Sequence, residues 1–160
     1  MDCFEYDFPI SRPDAVLASV ITDKGYITLP EECFTDTDFA GDGDDVILTS
    51  SWIEGVLTVY TKSVFEQVQE QLSSLNLLNP KMRMLHRMIV GEACYKRIDK
   101  EGRIDVDAEF CNRLGFDLDK AEPNGFPVML LKYKDKIWIA TLPAYEEIER
   151  KLQEQDNETP

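Results

Sequence analysis

Residues 18–34 read ASVITDKGYITLPEECF, and residues 95–111 read YKRIDKEGRIDVDAEFC. In both segments an isoleucine precedes a polar turn that contains glycine, and a second isoleucine follows the turn. The equivalent pairs are Ile21 and Ile98, Gly25 and Gly102, Ile27 and Ile104, and Leu29 and Val106. A tight glycine turn between β-branched residues predicts a β-hairpin, so the chain contains the same hairpin twice.

A second match follows each hairpin. Residues 57–61 read LTVYT and align with residues 137–141, which read IWIAT. Apolar positions with helical spacing then align: Phe65, Val68 and Leu72 with Tyr145, Ile148 and Leu152. Each copy therefore predicts one hairpin, a second hairpin and a helix, and this order indicates a tandem repeat.

The composition is typical of a folded protein outside the membrane. Of the 160 residues, 43% are hydrophobic and 10% are aromatic, which is enough for a packed core. No apolar run approaches the ~20 residues that a membrane-spanning helix needs. The N-terminal sequence MDCFEYDFPI is acidic where a signal peptide is basic, so we expect a cytoplasmic protein. The four cysteines lie far apart and predict reduced thiols, with a packing role for Cys33 and Cys111.

The net charge of −14 is unevenly distributed. Residues 1–80 carry 15 acids and three bases, for a net charge of −12. Residues 81–160 carry 16 acids and 14 bases, for a net charge of −2. Such acidity argues against non-specific nucleic-acid binding, because that binding is driven by basic side chains that neutralise phosphates. If any part of the chain contacts DNA, the second repeat is therefore the better candidate.

The pattern of turns and periodic segments divides the chain into five parts. We predict an N-terminal arm over residues 1–17, a first repeat over 18–78, a linker helix over 79–92, a second repeat over 93–152 and a disordered tail over 153–160. Ser63 is the predicted cap of a helix over residues 64–74.

No catalytic, cofactor or metal site is predicted. The acidic loop 36–45 reads DTDFAGDGDD but fails the EF-hand pattern, because Ala40 and Ile47 stand where that pattern needs acids. His86 is the only histidine and falls on the linker helix, where a surface or interface role is expected. No nucleophile–base spacing or phosphate-binding glycine loop is present, so nothing in the residues indicates an enzyme.

The second turn carries a charge pattern that has two interpretations. Asp99 and Arg103 flank Gly102 four residues apart. On spacing alone, this is a charged turn in which the aspartate pairs with the arginine and caps the loop. The same arginine could instead contact a ligand.

Together these segments resemble the MraZ family of bacterial transcriptional regulators, whose repeats are related to the AbrB DNA-binding domain. The family signature is I-D-x-K-G-R-[IL]-x-[LIV]-P, and this chain has ITDKGYITLP at 21–30 and IDKEGRIDVD at 98–107. The family's linker run is matched by Pro80, Arg83, Arg87, Gly91 and Ala93. The likeness covers about residues 18–152.

The resemblance implies an α+β fold of two tandem swapped-hairpin repeats. These would form a pseudo-twofold, β-barrel-like core with peripheral helices, in which strands of one repeat complete the sheet of the other. Such an exchange explains apolar runs too short for a single hairpin to bury. The resemblance also implies a ring-like homo-oligomer.

The resemblance further implies a cytoplasmic, nucleoid-associated regulator that binds repeated promoter sites upstream of the division and cell-wall gene cluster. The DNA-contacting residues it implies here are Lys24, Arg97, Lys100 and Arg103. Asp99, Gly102 and Gly25 support the two turns, with Asp99 orienting Arg103 through a charge-assisted hydrogen bond.

The first copy departs from the signature. Thr22 stands where the family has aspartate, and Tyr26 stands where it has arginine. A tyrosine lacks the positive fork that binds phosphate or guanine. The alternative hypothesis is therefore a divergent, DNA-incompetent member that acts as an oligomeric protein-interaction module.

Overall fold

The computed structural model describes residues 10–39, 45–74 and 76–158. These residues contain eight antiparallel strands and four α-helices. The strands are β1 Ala15–Ile21, β2 Tyr26–Thr28, β3 Asp45–Ser50, β4 Val56–Thr61, β5 Cys94–Arg97, β6 Arg103–Asp105, β7 Phe126–Lys132 and β8 Lys136–Thr141. The helices are α1 Lys62–Ser73, α2 Pro80–His86, α3 Asp107–Arg113 and α4 Leu142–Glu158. A π-helical segment, Arg87–Gly91, extends α2.

The two repeats exchange strands. β1 of the first repeat pairs with β7 of the second over seven residue pairs, from Ala15 opposite Lys132 to Ile21 opposite Phe126. β5 of the second repeat pairs in the same way with β3 of the first. Neither repeat therefore completes its own part of the sheet.

A pseudo-twofold axis relates the repeats. The strand order is β5-β3-β4-β8-β7-β1-β2-β6. Residues at equivalent repeat positions pair directly, since Ile27 lies opposite Ile104 in β2 and β6. The outermost strands, β5 and β6, are joined by one short turn and nearly close the sheet. The predicted swapped-hairpin fold with a barrel-like core is confirmed.

The barrel interior holds a core built from both repeats. Its fully buried side chains include Ile21 and Ile27 from the first repeat and Ile98 and Ile104 from the second. Each buried aliphatic side chain contributes ~1.5–3 kcal/mol relative to an exposed one. Because the matched isoleucines all point inward, the alternate residues of β2 and β6 face outward.

The outer faces of the two longer hairpins are covered by helices. α1 packs on β3 and β4 through Phe65 and Leu72, and α4 packs on β7 and β8 through Ile148 and Leu152. The apolar positions that align between the two repeats thus pack α1 and α4 on equivalent hairpins.

The cap of α1 differs from our prediction. The hydroxyl of Thr61, not that of Ser63, accepts a hydrogen bond from the Val64 N–H at 3.2 Å. The extended strand runs directly into the helix at Thr61, which puts this side chain at the N-cap position. Thr141 caps α4 in the same way, with the Ala144 N–H at 3.2 Å.

Both ends of the repeat region carry more regular structure than we expected. β1 begins at Ala15, inside the predicted arm, because its pairing with β7 starts there. α4 continues to Glu158, where we predicted a disordered tail from residue 153. Gln155 explains this difference, since its side-chain amide forms hydrogen bonds with both the N–H and the carbonyl of buried Ile10, at 3.0 and 2.9 Å.

Three sequence predictions fall partly outside the described residues. The parts concerned are residues 1–9 of the predicted arm, residues 40–44 of the acidic loop and residues 159–160 of the predicted tail.

Candidate nucleic-acid interface

The two matched turns have the same backbone. In the first, the Thr22 N–H donates to the Tyr26 carbonyl at 2.8 Å, and the Gly25 N–H donates to the Thr22 carbonyl at 2.9 Å. In the second, the Asp99 N–H donates to the Arg103 carbonyl and the Gly102 N–H donates to the Asp99 carbonyl, each at 3.0 Å. Gly25 and Gly102 have φ of 87° and 78°, a left-handed conformation that glycine adopts without strain.

The side chains that cap the turns differ in charge but accept hydrogen bonds from equivalent N–H groups. Asp99 Oδ1 accepts hydrogen bonds from the N–H groups of Glu101 and Arg103 at 2.9 and 2.8 Å. Thr22 Oγ1 accepts from the equivalent N–H groups of Lys24 and Tyr26, at 3.4 and 3.1 Å. The first turn therefore keeps its shape after losing the signature aspartate, because a hydroxyl supplies the same acceptor.

Arg103 is held by the second turn through one nitrogen. Its Nε donates to Asp99 Oδ2 at 2.8 Å and lies 3.1 Å from Glu101 Oε2. Its side chain is 43% exposed. Among the described residues, no acceptor is hydrogen-bonded to either terminal nitrogen of this guanidinium, so the two-pronged end of the side chain is open to a ligand.

The predicted charge pairing of the turn shifts the pKa values of both partners. The pKa of Asp99 is lowered, first by the hydrogen bond from the Arg103 N–H and further by the guanidinium. The pKa of Arg103 is raised, chiefly by its hydrogen bond to Asp99. The structural interpretation and the ligand interpretation of this pair are compatible, since the pairing uses Nε and leaves the terminal nitrogens available.

The short β2–β6 ladder joins the two turns. The Leu29 N–H donates to the Gly102 carbonyl, and the Val106 N–H donates to the Gly25 carbonyl, both at 2.8 Å. The turns therefore lie at opposite ends of the ladder, roughly 13 Å apart at the usual rise per strand residue. This spacing is well within one helical turn of duplex DNA, ~34 Å.

The outward face of the ladder consists of Tyr26 and Thr28 from β2 and Arg103 and Asp105 from β6. Tyr26 lies opposite Asp105 and Thr28 opposite Arg103, so Tyr26 and Arg103 are diagonal neighbours. Arg103 Cζ lies 5.4 Å from the centre of the Tyr26 ring, within cation–π range. We call the two turns and this outward face the ladder surface. Sequence reasoning missed the contact, although the repeat alignment places both residues at one equivalent position.

The remaining predicted residues differ in their surroundings. Lys24 and Lys100 are exposed in the turns, and no described acceptor pairs with either ammonium group. Arg97 lies on β5, where its Nε is 3.4 Å from Asp45 Oδ1. Asp45 sits directly opposite Arg97 in the β3–β5 pair, so the positive charge of Arg97 is locally compensated.

The charge of the ladder surface is mixed. It contains four acids and three bases, in the order Asp23, Lys24, Asp99, Lys100, Glu101, Arg103 and Asp105. A phosphate approaching this surface therefore meets individual cations rather than a continuous positive field.

Other chemistry has little support in the described part of the chain. No group of three or more His, Cys, Asp or Glu side chains there is arranged to hold a metal ion. Burial raises the pKa of Cys33 and Cys111 to about 11, which keeps both thiols protonated and unreactive near neutral pH. No helix in this part of the chain has the length and apolar character needed to cross a bilayer.

A nearly closed antiparallel barrel whose two repeats exchange strands, with one glycine turn at each end of a central ladder, defines a tandem swapped-hairpin fold. No known family profile matches the chain. It is 32% identical over 85 residues to the transcriptional regulator MraZ of Nitrosomonas eutropha, covering 53% of this chain and 56% of that protein. It is 35% identical over 85 residues to MraZ of a Marinomonas species, with the same coverage, and 30% identical over 84 residues to MraZ of Pseudoalteromonas translucida, covering 52% and 55%.

The chain thus spans about half the length of the curated relatives it matches. The predicted resemblance to the MraZ transcriptional regulators is confirmed over about half of the chain.

Proposed function

We propose that this protein is a DNA-binding transcriptional regulator that contacts DNA through the ladder surface. The observation that carries the proposal is the arrangement of Arg103: its Nε is fixed by Asp99, its side chain is 43% exposed, and its terminal nitrogens form no hydrogen bond with the described residues. An arginine held in this way presents a fork that matches a phosphate or the edge of guanine. The relatives' name, transcriptional regulator, supports the same role.

The finer assignments follow from the family resemblance. The DNA partner is promoter DNA with repeated sites near the division and cell-wall gene cluster, and the protein is cytoplasmic and nucleoid-associated. A ring-like homo-oligomer would place several copies of the ladder surface on successive sites, and effective concentration would add to weak single contacts. Residues 18–78 and 93–152 act as the two repeats and residues 79–92 as their linker. We propose no cofactor and no enzymatic activity.

The other basic residues contribute unequally. Lys100 and Lys24 are exposed in the turns and supply phosphate contacts. Arg97 contributes less, because Asp45 already pairs with it. With a net charge of −14, the protein binds non-specific DNA weakly, so binding depends on a few well-placed cations.

Binding to the protein's own upstream promoter, measured over a range of salt concentrations, tests the proposal. We expect Arg103→Ala to weaken binding by ~1–3 kcal/mol and to reduce the salt slope by about one unit for each lost contact. Arg150→Ala is the matched control, because it removes one charge from α4, where Arg150 pairs with Glu147 and Glu154. Equal affinity of wild type and Arg103→Ala would remove the second turn from the DNA contact.

The alternative is a DNA-incompetent member that serves as an oligomeric protein-interaction module. The mixed charge of the ladder surface and the Thr22 and Tyr26 replacements favour it. Under this hypothesis wild type shows no salt-dependent promoter binding, while self-association in gel filtration is unaffected by Arg103→Ala.

A further inference from the structure

We propose that Tyr26 is a positioning residue that holds the Arg103 guanidinium in its DNA-facing orientation, so that the first repeat acts in DNA binding through the arginine of the second. The inference rests on the proposed function and concerns Tyr26, which stands where the family signature has an arginine.

The contacts of Arg103 come from two sides. Asp99 and Glu101 of its own turn engage Nε at 2.8 and 3.1 Å. Tyr26, from the other repeat, places its ring 5.4 Å from Cζ. An edge contact and a ring contact together restrict the rotation of the guanidinium, while the terminal nitrogens have no bonded acceptor among the described residues.

The backbone of Tyr26 is fixed by the first turn and by the ladder. The Tyr26 N–H donates to Thr22 Oγ1 at 3.1 Å, and Tyr26 lies opposite Asp105 in the β2–β6 ladder. Tyr26 is 37% exposed, so it lies at the protein surface. Its position relative to Arg103 is therefore set by the strand register rather than by a flexible loop.

The strand exchange explains why this residue type suits the position. Tyr26 and Arg103 occupy equivalent repeat positions, and the pseudo-twofold axis brings both to the outward face of one ladder. Two arginines there would repel each other as diagonal neighbours. A tyrosine replaces that repulsion with a cation–π contact, so the loss of one positive charge is accompanied by better orientation of the other.

A double-mutant cycle in the 160-residue chain tests the inference. Tyr26→Leu removes the ring, Tyr26→Phe retains it, and each is made with Arg103 and with Arg103→Ala. The first readout is the NMR correlation of the Arg103 Nε–H in the free protein, which a nearby ring shifts. The second is the affinity for the upstream promoter duplex.

We expect Tyr26→Leu to shift the Arg103 signal and to lower DNA affinity about two- to fivefold, the range of an exposed cation–π contact. Tyr26→Phe should leave both readouts close to wild type. In the Arg103→Ala background, Tyr26→Leu should cost no further affinity.

Three results would overturn the inference. An unchanged Arg103 signal in Tyr26→Leu would mean that the ring does not hold the guanidinium. An equal loss of affinity with and without Arg103 would mean that Tyr26 contacts DNA by itself. Promoter binding that is absent in wild type would refute the proposed function and the DNA part of this inference, while the NMR signal would still decide whether Tyr26 holds Arg103.

Discussion

Asp99 shows how one side chain can shape a turn and orient a neighbour at once. One carboxylate oxygen accepts two backbone N–H bonds, and the other accepts the Arg103 Nε–H. In the first turn, Thr22 performs only the first of these tasks. The comparison separates the acceptor role, which a hydroxyl fulfils, from the charge role, which it does not.

Asp99→Asn should therefore weaken the fold in a pH-dependent way. The side-chain oxygen of asparagine can still accept the backbone bonds, so the variant loses mainly the charge. Because the pKa of Asp99 is lowered in the folded protein, its stabilisation is present above the unfolded pKa of ~3.9 and is lost as the pH falls through the folded value. Urea unfolding between pH 7 and pH 3 measures this effect. The difference in the free energy of unfolding between wild type and variant should become smaller as the pH falls.

Asp23→Asn is the matched control for this experiment. Asp23 lies in the first turn, and its carboxylate forms no hydrogen bond or ion pair with any described residue. A similar narrowing for this control would show that the effect comes from general charge and not from the Asp99–Arg103 pair.

At the scale of single residues, the sequence correctly predicted the turn and some of its side-chain contacts. The Asp99–Arg103 spacing correctly indicated a capped, charge-paired turn. The contact of Arg103 with Tyr26 could not be read from spacing, because the two residues are 77 positions apart and meet only through the β2–β6 register. The assignment of Lys24, Arg97, Lys100 and Arg103 to DNA stays a prediction.

Tertiary contacts help to decide where a helix or strand begins and ends, and α4 is the clearest case. The polar sequence QEQDNETP predicts fraying, yet the helix continues to Glu158. Within the helix, Leu152 is buried, and the Gln155 side chain forms hydrogen bonds with the backbone of Ile10. A contact 145 residues away along the chain is invisible to any local pattern.

Gln155→Ala should destabilise the protein by about 1–2 kcal/mol, because the N–H and carbonyl of buried Ile10 both lose their partner. Gln153→Ala, on the exposed side of the same helix, should change stability by less than ~0.5 kcal/mol. Thermal or urea unfolding of the two variants measures the difference. Equal effects of both would mean that the Ile10 contact does not anchor the helix end.

At the scale of the whole molecule, the strand exchange makes each repeat dependent on the other. β1 pairs with β7, β5 pairs with β3, and the central pairs β2–β6 and β4–β8 also join the two repeats. In the part of the chain that the structure describes, ladders within a repeat are limited to the hairpins β1–β2, β3–β4 and β7–β8. An isolated two-stranded hairpin is marginally stable in water, so stability belongs to the pair of repeats.

Separate expression of residues 1–78 and 79–160 tests this dependence. Neither fragment should show cooperative unfolding as a monomer by circular dichroism, and a mixture of the two should form a 1:1 complex with recovered sheet signal. Cooperative unfolding of either fragment alone as a monomer would contradict the exchanged arrangement.

The sequence by itself determined that a β-unit is present twice, with glycine turns at matched positions, and that each copy ends in a helix with one apolar face. These properties follow from local periodicity and turn chemistry, which act over a few residues. Only the tertiary structure decided which strand pairs with which, how far the last helix continues and that Tyr26 faces Arg103. Those outcomes depend on contacts between residues distant in the chain, whose free energy exists only after the two repeats have exchanged their strands.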